Sequence, residues 1–413
     1  MQQEIITGID IGSSNIRVVI GQIDVNGQIQ IISAIEGHSN GINRSVITGI
    51  EDAVSSISSV LEKTERVTGV PIEHAFVGIS GSHIISQPSH GVVAIAKANG
   101  EIEENDVERV INAAQTVITP PNYEILHIIP QTFTIDRQTG IKDPIGMSGI
   151  RLEVDAQIIE GLSSPIKNLT KCINRTGVDI DDLVFSILAT SETVLDKRQK
   201  ELGVAVINLG GATSSFIIFE EGDLVVCGVL PVGGNHITSD IAIGLRVSID
   251  VAEKIKLTYG SALSDQFKKD EKINLNEFDS NEKGTPSKKY VAQIVEARVE
   301  EIFRMINAEF KKINRDGKLP AGIILTGGGA KLPEIVELAK KEFRLPASIE
   351  CFQRKFFTAI DKINDPEFST ALGLVLWGNQ TQQQKHSKFS FSNLLNIKQN
   401  FSNLKKWVKS FGN

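Results

Sequence analysis

The stretch GVAVINLGGATSSFIIFEEGDLVV, residues 203–226, holds two apolar runs around a break of small residues. Residues 204–207 stop at Asn208-Leu209-Gly210-Gly211-Ala212-Thr213, residues 216–219 resume, and Glu221-Gly222-Asp223 turns the chain again. This pattern predicts a β-hairpin with a glycine tip. Such a tip lets the backbone approach a ligand, and its successive N–H groups form an anion-binding concavity. The same design opens the chain, where residues 5–11 run into Asp10-Ile11-Gly12-Ser13-Ser14-Asn15 and residues 16–21 follow. Two (Asp/Asn)-x-Gly-small-small hairpins roughly 200 residues apart read as a duplication, one copy in each half. A third glycine turn, Gly327-Gly328-Gly329, follows the apolar residues 323–325 and leads into a helix near Pro333.

At 413 residues, two or three domains are expected, and 41% hydrophobic with 23% charged residues is an ordinary globular balance. A net charge of -7 argues against a nucleic-acid partner, since neutralising phosphates requires basic surface. Cys172, Cys227 and Cys351 show no metal-ligand or CxxC spacing and read as buried small hydrophobes in a reducing compartment. The N-terminal residues lack a basic, apolar leader, and no run of about 18 apolar residues occurs. A cytosolic protein with at most a peripheral membrane contact is expected.

In chain order, three strands, a helix over residues 47–68 and a strand over 75–79 form the first part of an α/β domain, residues 1–82. Residues 83–161 change texture, with strand-like pieces around one helix over 103–117, and predict a small inserted α+β subdomain. The first domain resumes over 162–201, with a helix predicted for 189–201. A second domain covers 202–357 with an outer subdomain over about 248–310. Within it, residues 265–289 lack periodicity and read as a ragged edge, whereas 290–310 form a strongly amphipathic helix. Residues 358–378 return a helix to the first domain, 379–392 form a polar linker, and 393–413 recover helical spacing. There Phe401, Leu404, Trp407, Val408 and Phe411 share one arc, flanked by Lys405, Lys406 and Lys409. That arrangement suits an interfacial helix on anionic lipid; the alternative is a tail docked on its own domain.

Facing hairpins from two duplicated domains would hold the phosphates of a nucleotide from both sides. Ser13, Ser14, Asn15 and residues 210–213 would donate N–H and hydroxyl groups. Asp10 either holds Mg²⁺ through water or caps its own turn. Glu253 and Lys256, three apart on one helix, read from spacing alone as a surface ion pair. His236, beside the Gly233-Gly234 turn, reads as structural.

DIGSSNIRVVIG, INLGGATSSF, LPVGGNHITSDIAIGL, AEKIK, ILTGGGAKLPEIVELA and DPEFSTALGL, in that order, resemble the actin/Hsp70/sugar-kinase superfamily. The insertion, with EILHIIPQTFTID and GIKDPIGMSGIRLE, and the amphipathic tail resemble the FtsA family of bacterial cell-division proteins. The resemblance implies a two-domain actin-like fold around an ATP cleft. It places Asp10, Gly12, Ser13, Ser14 and Asn15 on the first phosphate motif and Gly210, Gly211, Ala212 and Thr213 on the second. It further places Gly233, Gly234 and Asn235 on a nucleotide-contacting turn, Glu253 and Lys256 near ribose and adenine, and Gly327, Gly328 and Gly329 on the adenosine motif. Arg298 falls where the family receives the C-terminal tail of the tubulin-like FtsZ.

Two departures stand out against the superfamily pattern. Asn208, Ala212 and Ser215 replace the usual aspartate, third glycine and second aspartate, so no carboxylate orients water there. Asn15 stands where relatives often carry lysine. ATP binding with slow or negligible hydrolysis is therefore expected. The resemblance implies a protein that forms filaments at the cytoplasmic face of the membrane, tethers FtsZ through its terminal helix and recruits later division proteins. The alternatives are another actin-like scaffold, for pilus assembly or cell shape, and a small-molecule kinase of the same superfamily.

Overall fold

The computed structural model describes residues 4–386, apart from 25, 26, 98, 116–119, 269, 281, 351, 353–355 and 359. Contacts divide the chain into two compact units, Met1–Ile85 with Gly161–Asn379, and one that contains Ser86–Glu160. The membrane-helix residues Phe401, Leu404, Lys405, Lys406, Trp407, Val408, Lys409 and Phe411 lie outside the described residues.

The first unit is built twice over. Its first lobe starts with β1 (Glu4–Ile11), β2 (Asn15–Ile23) and β3 (Ile29–His38), an antiparallel meander in which each strand pairs with the next. A two-rung hairpin, β4 (Ile42–Asn43) and β5 (Val46–Ile47), then feeds α1 (Ile50–Thr68) and β6 (His74–Ile79). α1 buries Ala53, Ile57, Val60 and Leu61 and ends at Gly69 in the left-handed region. Of the apolar positions whose spacing predicts the helix, Ile57, Val60 and Leu61 are buried, Ile50 and Val54 are half-buried, and Ile47 falls in β5 instead.

The chain next forms the second unit: β7 (Ile84–Ala94), α2 (Glu104–Ala114), β8 (Tyr123–Ile135), β9 (Gln138–Ile141) and β10 (Arg151–Leu162). Its sheet runs β7-β10-β8-β9. α2 is capped by Glu103 and buries Val107, Val110 and Ile111 with Phe133, Leu152 and Val154 in a core of its own. This is the α+β insertion that the sequence predicts.

The first lobe resumes with α3 (Ser163–Arg175), β11 (Asp179–Phe185), α4 (Ser186–Val194) and α5 (Lys197–Leu202). One helix over 189–201 was expected; the structure splits it, because Asp196 starts a new N-terminus. Its carboxylate accepts from the Gln199 N–H at 2.7 Å while the Gln199 side chain accepts from the Asp196 N–H at 3.0 Å.

The second lobe repeats the first with β12 (Val204–Leu209), β13 (Ser214–Glu220), β14 (Asp223–Leu230), α6 (Gly234–Leu245), α7 (Ile249–Tyr259), α8 (Lys288–Lys312), β15 (Gly322–Thr326), α9 (Ile335–Phe343) and β16 (Ala347–Ile349). β17 (Phe356–Phe357) and α10 (Ser369–His386) return to the first lobe. Among the described residues the two sheets run β11-β6-β1-β2-β3-β17 and β14-β13-β12-β15-β16. In both, a meander's first strand pairs in parallel with the next strand inward, so the duplication read from the glycine tips extends to topology. Residues 265–289, expected to be ragged, are anchored by buried Ile273 and Leu275, with the Ile273 N–H bonded to Pro286 O at 2.8 Å. The helix around Trp377 continues through the polar residues 378–386.

The lobes are joined by two helices in close contact. α4 is buried along almost its whole length. It meets α10 through Thr190 Oγ1 to Thr370 Oγ1 at 2.9 Å and Thr193 Oγ1 to Ser369 O at 2.9 Å. A Cβ on Gly373 would run into Ala189 O, so the backbones of the two helices touch.

Candidate functional site

The two hairpin tips are built alike. Gly12 N–H donates to Asn15 O at 3.1 Å, and Gly210 N–H donates to Thr213 O at 2.9 Å. Each bond closes a tight turn, and no hydrogen bond to a described residue takes the N–H groups of Ser13, Ser14, Gly211 or Ala212. Backbone donors are rarely left unpaired, so these four amides are suited to an outside acceptor. The tips face one another closely enough that a Cβ on Gly211 would run into Ser14 Oγ.

Asp10 stands one residue before the end of β1, opposite Arg17 on β2. Burial raises its carboxyl to about pH 6, against the lowering effect of the Arg17 charge. No hydrogen bond from a described residue reaches its oxygens, so a divalent cation fits the chemistry: it would favour the ionised form that burial disfavours. Arg17 itself is engaged elsewhere. It ion-pairs with Glu367, lies 3.6 Å from Glu36, and stacks 5.7 Å from the Phe368 ring centroid. With its amide oriented so that the nitrogen donates to Ser14 O, Asn15 accepts from Arg17 at 3.3 Å. Asn208, the counterpart of Asp10, donates to Thr370 Oγ1 at 3.3 Å and brings no charge.

Gly233, Gly234 and Asn235 lie beside the second tip, and their amides are taken. Gly234 N–H donates to Gly210 O at 2.9 Å, Asn235 N–H to Gly211 O at 2.7 Å, and Gly233 N–H to His236 Nδ1 at 3.2 Å. They position the tip, and His236 closes the start of α6, which is a structural role. A Cβ on Gly233 would collide with Gly210 O, so any larger residue forces a shift between the tip and the start of α6.

Glu253 and Lys256 are paired at 2.7 Å, but not as an isolated surface pair. Lys256 Nζ donates to Thr238 Oγ1 at 2.9 Å and Gly234 O at 3.3 Å, and the Thr238 hydroxyl donates to Glu253 at 2.5 Å. The pair thereby joins α7 to the start of α6. Gly327, in the left-handed region with φ 82°, abuts Asn208 and Leu209, and its N–H donates to Pro366 O at 3.2 Å. Gly328 lies by Glu367 and Gly329 by Leu209. Tips, turn and ion pair therefore converge on one region of the first unit.

Arg298 stands apart from it. Its guanidinium holds Asp240 on α6 with bonds of 2.5 and 2.9 Å and Glu301 at 2.6 Å. Hydrogen bonding to Asp240 raises its already high pKa. On the same ridge of α8, Tyr290 is 44% exposed, and Ile243 on α6 is 76% exposed.

Sequence reasoning missed two contributors. Thr370 orients Asn208 from the far end of the chain. The Arg44-Ser45 turn between β4 and β5 touches both tips: Ser45 N–H donates to Ser13 Oγ at 2.8 Å, and Ser45 Oγ lies 3.4 Å from Thr213 Oγ1. A turn of Arg-Ser carries none of the glycine or asparagine signal by which such turns are read.

Comparison with known proteins supplies the frame. The family model for cell division protein FtsA matches residues 205–373, and that for the SHS2 domain inserted in FtsA matches residues 81–160. Cell division protein FtsA of Borreliella burgdorferi is 39% identical over 411 residues, covering 98% of each chain. That of Pseudomonas aeruginosa is 36% identical over 380 residues, 92% of this chain and 90% of the relative. Among solved structures, the PilM-PilN type IV pilus biogenesis complex matches with a TM-score of 0.64 at 14% identity, over 91% of this chain and 98% of that one. MreB5 of Spiroplasma citri bound to ADP matches at 0.56 and 12%, over 93% and 99%. At those identities the structural likeness speaks to the fold, which is actin-like. With more than a third of its residues shared with these relatives along nearly its whole length, the chain belongs to the FtsA family of cell division proteins.

Proposed function

We propose that this chain is an ATP-binding cell-division protein that polymerises on the cytoplasmic face of the membrane and anchors FtsZ filaments there. The observation that carries the nucleotide part is the pair of facing tips with four amides that bond to no described residue. Ser13, Ser14, Gly211 and Ala212 would take phosphate oxygens, and Thr213 adds a hydroxyl. Asp10 would hold Mg²⁺ through water, and the ion would supply charge neutralisation between phosphates. Gly233, Gly234 and Asn235 set the second tip. Glu253 and Lys256 border the ribose and adenine, and Gly327, Gly328 and Gly329 the adenosine. Asn208 neither carries charge nor accepts a proton, so hydrolysis is slow and the nucleotide serves to hold the lobes closed.

FtsZ's C-terminal tail would dock around Arg298. Because Asp240 and Glu301 already hold this side chain, the exposed Ile243 and Tyr290 give the face its apolar contact. The membrane anchor rests on sequence: an aromatic and leucine arc at 401–411 flanked by Lys405, Lys406 and Lys409. Among the described residues no helix is long and apolar enough to cross a membrane. One interfacial helix binds weakly, so filaments would supply avidity. Later division proteins would be recruited to that filament.

Co-sedimentation with anionic vesicles in ATP tests the reading. The intact chain is compared with one ending at His386, which keeps α10 whole, and with Trp407→Glu. Pelleting of the intact chain alone, carrying FtsZ with it, is expected. Equal behaviour of all three removes the tether.

A further inference from the structure

Residues 42–47 form a hairpin whose two-residue loop, Arg44-Ser45, has φ of 48° and 61°. Both residues thus occupy the left-handed region, which costs an L-residue about 1–2 kcal/mol and is usually left to glycine or asparagine. The surroundings hold the loop in that shape. Gly41 O accepts from Thr48 N–H at 2.8 Å and Gly49 N–H at 3.0 Å, fixing the hairpin's base at the start of α1. Ser39 N–H donates to Ser14 O at 3.0 Å, fixing the approach from β3 to the first tip. Ser45 then bonds Ser13 and reaches Thr213, so the loop spans both tips.

Among the described residues, three other cations near these tips are already paired. Arg17 is held by Glu367, Lys256 by Glu253, and Lys331 by Asp365 and Glu367. Asn15 is neutral. Arg44 is exposed and, among the described residues, has no carboxylate or hydrogen-bond partner for its guanidinium. A polyphosphate between four amides and a few hydroxyls carries more negative charge than neutral donors offset, and an arginine fork is the strongest side-chain partner for a phosphate oxygen.

We propose that Arg44 binds the terminal phosphate of the nucleotide, with Ser45 seating it where the two tips meet. This rests on the cleft being a nucleoside triphosphate site. The terminal phosphate is the group that ATP has and ADP lacks, so Arg44 distinguishes the two. Through β5 and α1 the loop links that distinction to the body of the first lobe.

The test uses the full chain and measures Kd for ATP and for ADP, in Mg²⁺ at pH 7.5, for the unaltered protein, Arg44→Ala and Arg44→Lys. Removal of the guanidinium is expected to weaken ATP about 10- to 100-fold and ADP less than about threefold, with lysine recovering part of the loss. Thermal melting shows that each variant folds, which exposure of Arg44 favours. Equal weakening of ATP and ADP, or no change in either, overturns the role of Arg44 while leaving the nucleotide site in place. If the unaltered protein binds neither nucleotide, both readings fall.

Discussion

The hairpins at residues 10–17 and 208–215 share a register, with Asp10 opposite Arg17 and Asn208 opposite Ser215, and the same N–H to carbonyl bond at the tip. Their chemistry differs. The first has a half-buried carboxylate facing an arginine, with two serines at its tip. The second has an amide satisfied by Thr370, with glycine and alanine at its tip and the start of α6 bonded to its carbonyls. Duplication preserved the backbone and left the charge on one side only. One hairpin is suited to a cation and phosphate, the other to phosphate alone.

Making the hairpins alike breaks that asymmetry. Asn208→Asp places a carboxylate at the position matching Asp10 and, on the proposed nucleotide site, is expected to raise ATP turnover on the order of 10²-fold, read as phosphate release. Unchanged turnover would place the limit on hydrolysis elsewhere. Gly233→Ala acts on the second tip alone, since its Cβ meets the carbonyls of Gly210 and Gly211. It should cost about 2 kcal/mol of stability in urea unfolding. A loss below about 0.5 kcal/mol would show that α6 can withdraw from the tip without strain.

The first tip is separated from the second by pH. Asp10 titrates near 6, above its ordinary 3.8, because burial disfavours the charged form. The proton is therefore held more tightly in the folded protein. Without a cation, this group's contribution to stability declines as pH rises from about 4 to about 6 and is level above. A bound cation needs the ionised form, so the Mg²⁺-dependent part of nucleotide affinity should fall about tenfold between pH 7 and pH 5. Asp10→Asn should abolish that slope, whereas Asn208→Ala should leave it. The smallest effect is expected at the link between the tips. Ser45→Gly removes left-handed strain and a 3.4 Å hydroxyl contact, and should raise stability by about 1 kcal/mol.

Much of this was legible in the order of residues, because a hairpin tip is a local object. Apolar runs, small-residue breaks and their repetition gave the duplicated lobes, and a change of texture marked the α+β insertion. The stripe over 290–310 gave α8. Boundaries slipped where a local cap overrode periodicity, as at Asp196. The segment 265–289 looked shapeless because its apolar anchors, Ile273, Leu275 and Phe278, fall at spacings that match no regular period. The β4–β5 hairpin escaped notice because two-residue strands have no pattern and Arg-Ser is an unusual turn.

Sequence by itself determined the backbone of the site: glycine and small residues at fixed places after two strands allow only tight tips with free amides. Tertiary structure decided where the charges act. Arg17 is neutralised by Glu367, 350 residues away, Lys256 is joined to Thr238 and Gly234, and Asp10 owes its raised proton affinity to burial. Turn geometry depends on neighbours in the chain, whereas the state of a charge depends on neighbours in space.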